Sequence, residues 1–495
     1  MSVLNFILEV VKTPALILGF VALLGLITQK KTGSQVFAGT IKTAIGMLVV
    51  SAGAGLVVTA ILPFVMLFQT VFNLDGFATG SELISAAMQD SVVEISSAAS
   101  IIMAVGFLVN VVLARFTPLK YIFLTGHMMW IASVLVAYCL YSAGFNNTLM
   151  IIIGSVIQGA LLTLLPAISQ PVVRQITGGN EIAIGHLTTL GTVPAAYIGK
   201  LLGNKAKNTE DLVLPKGLAF FKDTAVAISV VMLLFYIIMV LIAGPDRVDE
   251  VSGGGSNYIL FGIMQALGFA AGVLVLLQGV RMFLGELVPA FKGISDKIVP
   301  NAVPALDVPA IFGYAPNALM IGFITAVCGM LVAMVASSAA FGVVPLVSII
   351  GAFFTGGVAG IMGNALGGRR GAIVGGFMYG FILIFLSGFT YMFFDKFAAV
   401  GATGVGHDCV DAMVTMLAFK NPYVGIIILV AAFVVLSIFE VRYQKRVAAE
   451  AAAEAEALAQ AEAAPEVEAT PQADAAPEVE AASDEEAAPE VDKEA

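Results

Sequence analysis

Thr224-Ala-Val-Ala-Ile-Ser-Val-Val-Met-Leu-Leu-Phe-Tyr-Ile-Ile-Met-Val-Leu-Ile-Ala243 runs for twenty residues without a charged side chain. As a helix it would measure about 30 Å, the thickness of a bilayer's hydrocarbon core. Stretches of this kind recur along the chain. Their approximate cores are Pro14–Thr28, Ala44–Leu67, Ala98–Ala114, Tyr121–Ser142, Met150–Val173, Thr224–Ala243, Ile259–Phe283, Ala318–Ala336, Phe341–Met362, Ala372–Phe394 and Val424–Phe439. Hydrophobic residues make up 59% of the 495 residues and charged ones only 12%, more apolar surface than a soluble core can hide. The sequence therefore predicts an all-α, polytopic membrane protein with about eleven transmembrane helices.

Charge patterning supports that count. The formal net charge of −10 comes from the end of the chain, where Val447–Ala495 carries fifteen acidic residues against one lysine. Cations before it gather in alternate loops: Lys30, Lys31 and Lys42; Arg115 and Lys120; Arg174 to Lys222; Lys292 and Lys297; Arg369 and Arg370; Arg442 to Arg446. Intervening loops carry Asp75, Glu82, Asp90 and Glu94, then Asp246, Asp249 and Glu250 around Arg247, then Asp408 and Asp411. Positive loops stay in the cytoplasm, so the N-terminus is expected outside and the C-terminus inside the cell membrane. Met1–Gln29 lacks a basic start and a small-residue cleavage site, and is read as a retained first span.

An odd number of spans suits two inverted five-helix repeats joined by a linking helix. Each half has a segment interrupted by Gly and Pro, Ile176–Leu202 and Leu284–Pro316. Non-helical backbone at membrane depth survives only beside a cavity or inside protein, which makes such segments natural substrate sites. The domain reading is a transmembrane domain over residues 1–446 and an acidic tail over 447–495. In that tail Ala-Pro-Glu-Val-Glu/Asp recurs every twelve residues in a composition that cannot build a core, so it is expected to be disordered.

Three polar residues stand out against this background. His127 follows Thr125-Gly126, His186 follows Ile184-Gly185, and Asp307 lies between Pro304 and Pro309. A polar side chain at membrane depth costs several kcal/mol unless it meets a partner or lines a wet cavity. Imidazole nitrogens and a carboxylate are hydrogen-bonding partners for hydroxyls, so the trio points to a polyhydroxylated ligand. Bland readings exist for each: a histidine satisfied by a helix carbonyl, or an aspartate paired with a buried cation. Arg281 and Glu286 are expected to pair near a helix end, and Gln278 and Glu286 to support the site from behind. His407, beside Asp408 and Cys409, reads as polarity in an external loop. Cys139, Cys328 and Cys409 form neither a disulfide framework nor a metal pair.

Other chemistry is not indicated. Ser51-Ala-Gly-Ala-Gly55 and Gly356-Gly-Val-Ala-Gly360 lack the preceding strand and following Lys-Ser/Thr of a phosphate loop, so helix packing explains them. Neither cofactor, metal nor nucleic acid is expected. No ATPase or kinase chemistry is expected in this chain, so any transport would be powered by a gradient or by another protein.

Gly39-Thr-Ile-Lys-Thr-Ala-Ile-Gly46, Leu124-Thr-Gly-His127, Ile184-Gly-His186, Glu210-Asp-Leu-Val-Leu-Pro215, Gln278-Gly-Val-Arg-Met-Phe-Leu-Gly-Glu286, Phe291-Lys-Gly-Ile-Ser295 and Ala315-Pro-Asn317 occur in order. Through them, from Met1 to Arg446, the chain resembles the ascorbate-specific IIC component of the bacterial phosphotransferase system. The resemblance implies eleven helices arranged as a core and a V-shaped dimerisation domain, working as a homodimer in membrane lipid. It implies inward transport of L-ascorbate, phosphorylated by a cytoplasmic IIB protein that is itself fed by IIA. His127, His186 and Asp307 match substrate-contacting positions of that family. Ile131 and Leu187 stand where it has glutamines, and Ser81-Glu82 aligns with its Thr-Tyr contact. The lost amides widen the expected substrate to a related sugar acid, pentose or polyol. Two other classes stay open: a proton- or ion-coupled transporter of the same fold, with His127 or Asp307 as proton carrier, and a receptor or scaffold acting through its tail.

Overall fold

The computed structural model describes residues 13–72, 79–81, 84, 85, 88, 92–212, 224–255, 257–393 and 406–463. Helices dominate them. In chain order they are α1 (Pro14–Thr28), α2 (Gly33–Phe72), α3 (Val93–Phe116), α4 (Gly126–Ser142), α5 (Asn147–Thr177), α6 (Thr189–Leu202), α7 (Thr224–Ser252), α8 (Tyr258–Lys297) and α9 (Pro316–Phe341). The helical run α10 (Ile349–Tyr391), α11 (Val410–Phe419) and α12 (Pro422–Ala463) follow. Eight of these are long and apolar enough to cross a membrane, and three shorter ones, Leu18–Thr28, Gly126–Ser142 and Val410–Phe419, are apolar as well. This is a multi-pass membrane protein. By internal contacts the chain divides into Met1–Val441 and Arg442–Ala495. Everything described below lies in the first unit; most of the acidic tail lies outside the described residues.

Several boundaries differ from those expected of the sequence. Composition alone starts the ninth apolar stretch at Phe341, but α9 runs on to that residue and ends at Gly342, whose φ of 69° is left-handed, and helix resumes only at Ile349. The ninth and tenth stretches form the two limbs of α10. Gly368 breaks that run at φ 60°, and the limbs then pack so closely that a Cβ on Gly371 would lie 2.1 Å from the Gly363 carbonyl oxygen. A side chain at Gly368 itself would meet the carbonyl oxygens of Asn204 and Lys207 at 2.2 and 2.3 Å, so both conformation and space require glycine there. Arg369 and Arg370 follow this reversal.

The interrupted segments contain β-structure where an all-helical chain is expected. β1 (Tyr121–Phe123), β2 (Ala183–Ile184) and β3 (Val303–Leu306) form a parallel ladder in the order β1-β3-β2, and every residue in it is buried. Ile122 pairs with Pro304, Phe123 and Ala183 both with Ala305, and Ile184 with Leu306. Buried strand edges must find partners. On the β1 edge the Asn110 side chain donates to the Tyr121 carbonyl and accepts from the Phe123 N–H, both at 3.0 Å. On the β2 side Gln170 donates to the Ile182 carbonyl at 3.1 Å. Two amide side chains thus stand in for outer strands. Runs of two to four residues lack the periodicity that would reveal a strand in an apolar sequence.

A part-buried ion pair joins the start of this ladder to α12. Arg174 on α5 donates to Glu440 of α12 at 2.9 Å and to the Tyr121 hydroxyl at 3.2 Å, with side-chain exposures of only 10% and 13% for the pair. Arg174→Met would remove the cation beside Glu440, which keeps the Tyr121 hydroxyl at 3.4 Å; breaking a fully buried pair costs about 3–5 kcal/mol, and a part-buried one less. Thermal unfolding in detergent is expected to show a lower midpoint, with Glu440→Gln milder; an unchanged midpoint for Arg174→Met would contradict this.

Candidate functional site

The three strands run in one direction, and each of the three singled-out polar residues follows a strand's C-terminal end. His127 comes four residues after β1, His186 two after β2, and Asp307 directly after β3. The ladder continues into these connections, where the Leu124 N–H bonds to Ala305 and the Gly185 N–H to Leu306. A side chain at Gly185 would come within 2.7 Å of the Ala305 carbonyl oxygen, so the Gly-His step lets β2 lie against β3. Two histidines some sixty residues apart and a distant aspartate meet because one small sheet gathers them.

Asp307 sits between the imidazoles. Its Oδ2 lies 3.8 Å from His127 Nε2 and its Oδ1 lies 3.9 Å from His186 Nε2, too long for direct hydrogen bonds. The rings are 6.3 Å apart and inclined at 72°. Oδ1 accepts the Val308 N–H at 2.7 Å, capping the 3-10 turn Val308–Tyr314 and fixing the carboxylate. His186 is 4% exposed and, among the described residues, its Nδ1 has no hydrogen-bond partner. Donor and acceptor atoms therefore face one another across gaps that a ligand's hydroxyls can fill.

The gaps open onto a cavity of about 350 Å³. Its walls include Met47, Val50 and Ser51 of α2, Met128 and Pro309 beside the triad, and Phe354, Thr355, Asp408 and Cys409. Among the described residues none lining it is Lys or Arg. An apolar cavity with a few convergent polar groups is the usual form of a small-molecule site. One ligand atom each from His127, His186 and Asp307 lies within 4.8 Å of the others, a set chemically able to hold a divalent metal. Among the described residues His186 Nδ1 lacks the outer partner that orients metal-bound imidazoles, so hydroxyl binding suits the set better.

The other residues singled out by sequence fall elsewhere. Ile131 and Leu187 are buried but do not line the cavity, and Ser81 touches it only indirectly, through its N–H to Asp408. Glu82 lies outside the described residues. Glu286 pairs with Lys42 at 2.9 Å rather than with Arg281, because α2 packs along α8 and brings the lysine alongside. Gln278 is exposed, and neither it nor Glu286 lines the cavity. His407 is fully buried rather than exposed, since Gly406 docks on the Gly80 N–H and draws the segment inward.

That segment also carries two acids, one lining the cavity and one capping a helix, with no clear mark in the sequence. Asp408 lines the cavity, and Asp411 accepts the N–H groups of Thr189 and Leu190 at 2.9 and 2.6 Å. Asp411 thereby closes the N-terminus of α6, three residues beyond His186. Glu210 does the same for α9, accepting from Asn317 and Ala318 at 3.3 and 3.1 Å. Acid two or three residues from an apolar helix start is a legible cap, but these acids are distant in sequence.

A family model described as the PTS system sugar-specific permease component, EIIC-GAT, matches residues 9–408. The ascorbate-specific PTS system EIIC component of Mycoplasma pneumoniae (strain ATCC 29342 / M129 / Subtype 1) is 29% identical over 432 residues. That alignment covers 76% of this chain and 65% of the relative, so the chain spans less than two thirds of its relative's length.

Proposed function

This chain belongs to the EIIC-GAT family of sugar-specific permease components, and on that premise we propose that it carries a small polyhydroxylated substrate, L-ascorbate or a related sugar acid or polyol, inward across the membrane. The observation that carries this reading is the meeting of His127, His186 and Asp307 at the ends of three buried strands, facing a 350 Å³ cavity. These three residues hold the substrate's hydroxyls, and the similar Mycoplasma protein is named for ascorbate. The chain transfers no phosphate itself. It presents the substrate to a cytoplasmic IIB protein, which IIA supplies.

The loop cations support an orientation with the N-terminus outside and the C-terminus in the cytoplasm. We read the architecture as eleven spans in two inverted repeats, assembled as a homodimer, with residues 1–446 as the permease and the acidic tail as a separate appendage. The test is uptake competition in cells with a matched IIB protein, comparing ascorbate, pentoses and polyols against a labelled substrate. One of these classes is expected to displace the label at concentrations near its own half-saturation. No uptake of any of them would overturn the reading.

A further inference from the structure

The cavity lining includes a further carboxylate outside the triad. Asp408 lines it, yet the residue is 8% exposed and comes just before α11, next to Cys409, rather than at a strand end. Its Oδ1 accepts the Ser81 N–H at 3.0 Å, with Cys409 Sγ 3.8 Å away. The Ser81 amide thus orients the carboxylate without neutralising it. Among the described residues no Lys or Arg forms an ion pair with Asp307 or Asp408. One cavity therefore holds two carboxylates and, among the described residues, no fixed cation.

We propose that Asp408 is a second substrate-contacting residue, whose charge biases the site toward uncharged polyhydroxylated ligands and against anionic ones. A carboxylate is an acceptor only, so it rewards hydroxyl donors and gives nothing to a ligand's own carboxylate or enolate. Burial strengthens the repulsion between like charges, because little water screens them. Asp307 and Asp408 supply acceptors to one cavity, which suits an alditol or neutral sugar with several hydroxyls to donate. The inference rests on the permease reading for the location of the site. It concerns binding, so it can fail separately.

Ligand affinity of the purified full chain in detergent tests it, using galactitol and xylitol as neutral probes and L-ascorbate, a monoanion at neutral pH, as the charged one. Asp408→Asn keeps an oxygen for the Ser81 N–H while removing the charge. It is expected to shift the ratio of alditol to ascorbate affinity at least tenfold toward ascorbate. Asp408→Ser is expected to shift it in the same direction, which guards against one variant failing to fold. A ratio within twofold of the parent's in a folded variant, or a shift toward the alditols, would overturn the proposal. So would a parent protein that binds none of the three. Failure of the permease reading would instead appear as absence of transport and phosphorylation, whatever the binding ratios.

Discussion

Asp307→Asn is expected to lower uptake at least a hundredfold without reducing the amount of protein in the membrane. The asparagine oxygen can keep the Val308 N–H bond at 2.7 Å, so the 3-10 turn should survive. What is lost is the charge and the second acceptor, because the amide nitrogen now points a donor where Oδ2 had faced His127. Hydrogen bonds to charged groups contribute about 1.5–3 kcal/mol each, and two hydroxyls deprived of such an acceptor account for two or more orders of magnitude. His127→Ala is expected to follow the same pattern. Initial uptake rates, normalised to membrane-inserted protein, are the measurement; normal rates in both variants would remove these residues from the site.

Asp411→Ala should have the largest effect on stability. Asp411 is fully buried and serves two backbone N–H groups at the start of α6. Its removal leaves both donors without a partner, at about 1–3 kcal/mol each. The damage is not confined to α6. Leu187 accepts the Asp411 N–H, Thr188 donates to the Tyr379 hydroxyl at 2.8 Å, and His186 immediately precedes them. A loosened α6 start would therefore also blur the position of His186. The thermal midpoint of Asp411→Ala in detergent is expected well below that of the parent, with Asp411→Asn between the two. Equal midpoints would show that α6 does not depend on this cap.

The apolar spans and the triad are legible in the sequence for the same reason. In a chain that is 59% hydrophobic, long uncharged runs mark helices by their length, and a lone His or Asp is conspicuous by its solvation cost. The ladder joining them is not legible. Its pairings, such as Phe123 with Ala305 and Ile184 with Leu306, are nonlocal, and strands of two to four residues leave no alternation to read. Asn110 and Gln170 look like ordinary polar residues within helices until the edges they satisfy are seen. Asp408, Asp411 and His407 read as loop polarity because local composition cannot tell an external loop from a loop folded into the protein. The expected pairing of Arg281 with Glu286 fails for a similar reason, since spacing along one helix gives no sign of Lys42 on its neighbour.

The chemical form of the substrate after entry bears most directly on the permease proposal. Cells containing this chain, a matched IIB protein and the phosphate relay would be given labelled substrate, and the intracellular label would be separated into free and phosphorylated forms at the earliest measurable times. Phosphorylated product, lost when the IIB phosphate-carrying cysteine is replaced, is the expected result. Free substrate accumulating without IIB, and abolished by an uncoupler, would contradict it and make the protein a gradient-driven transporter.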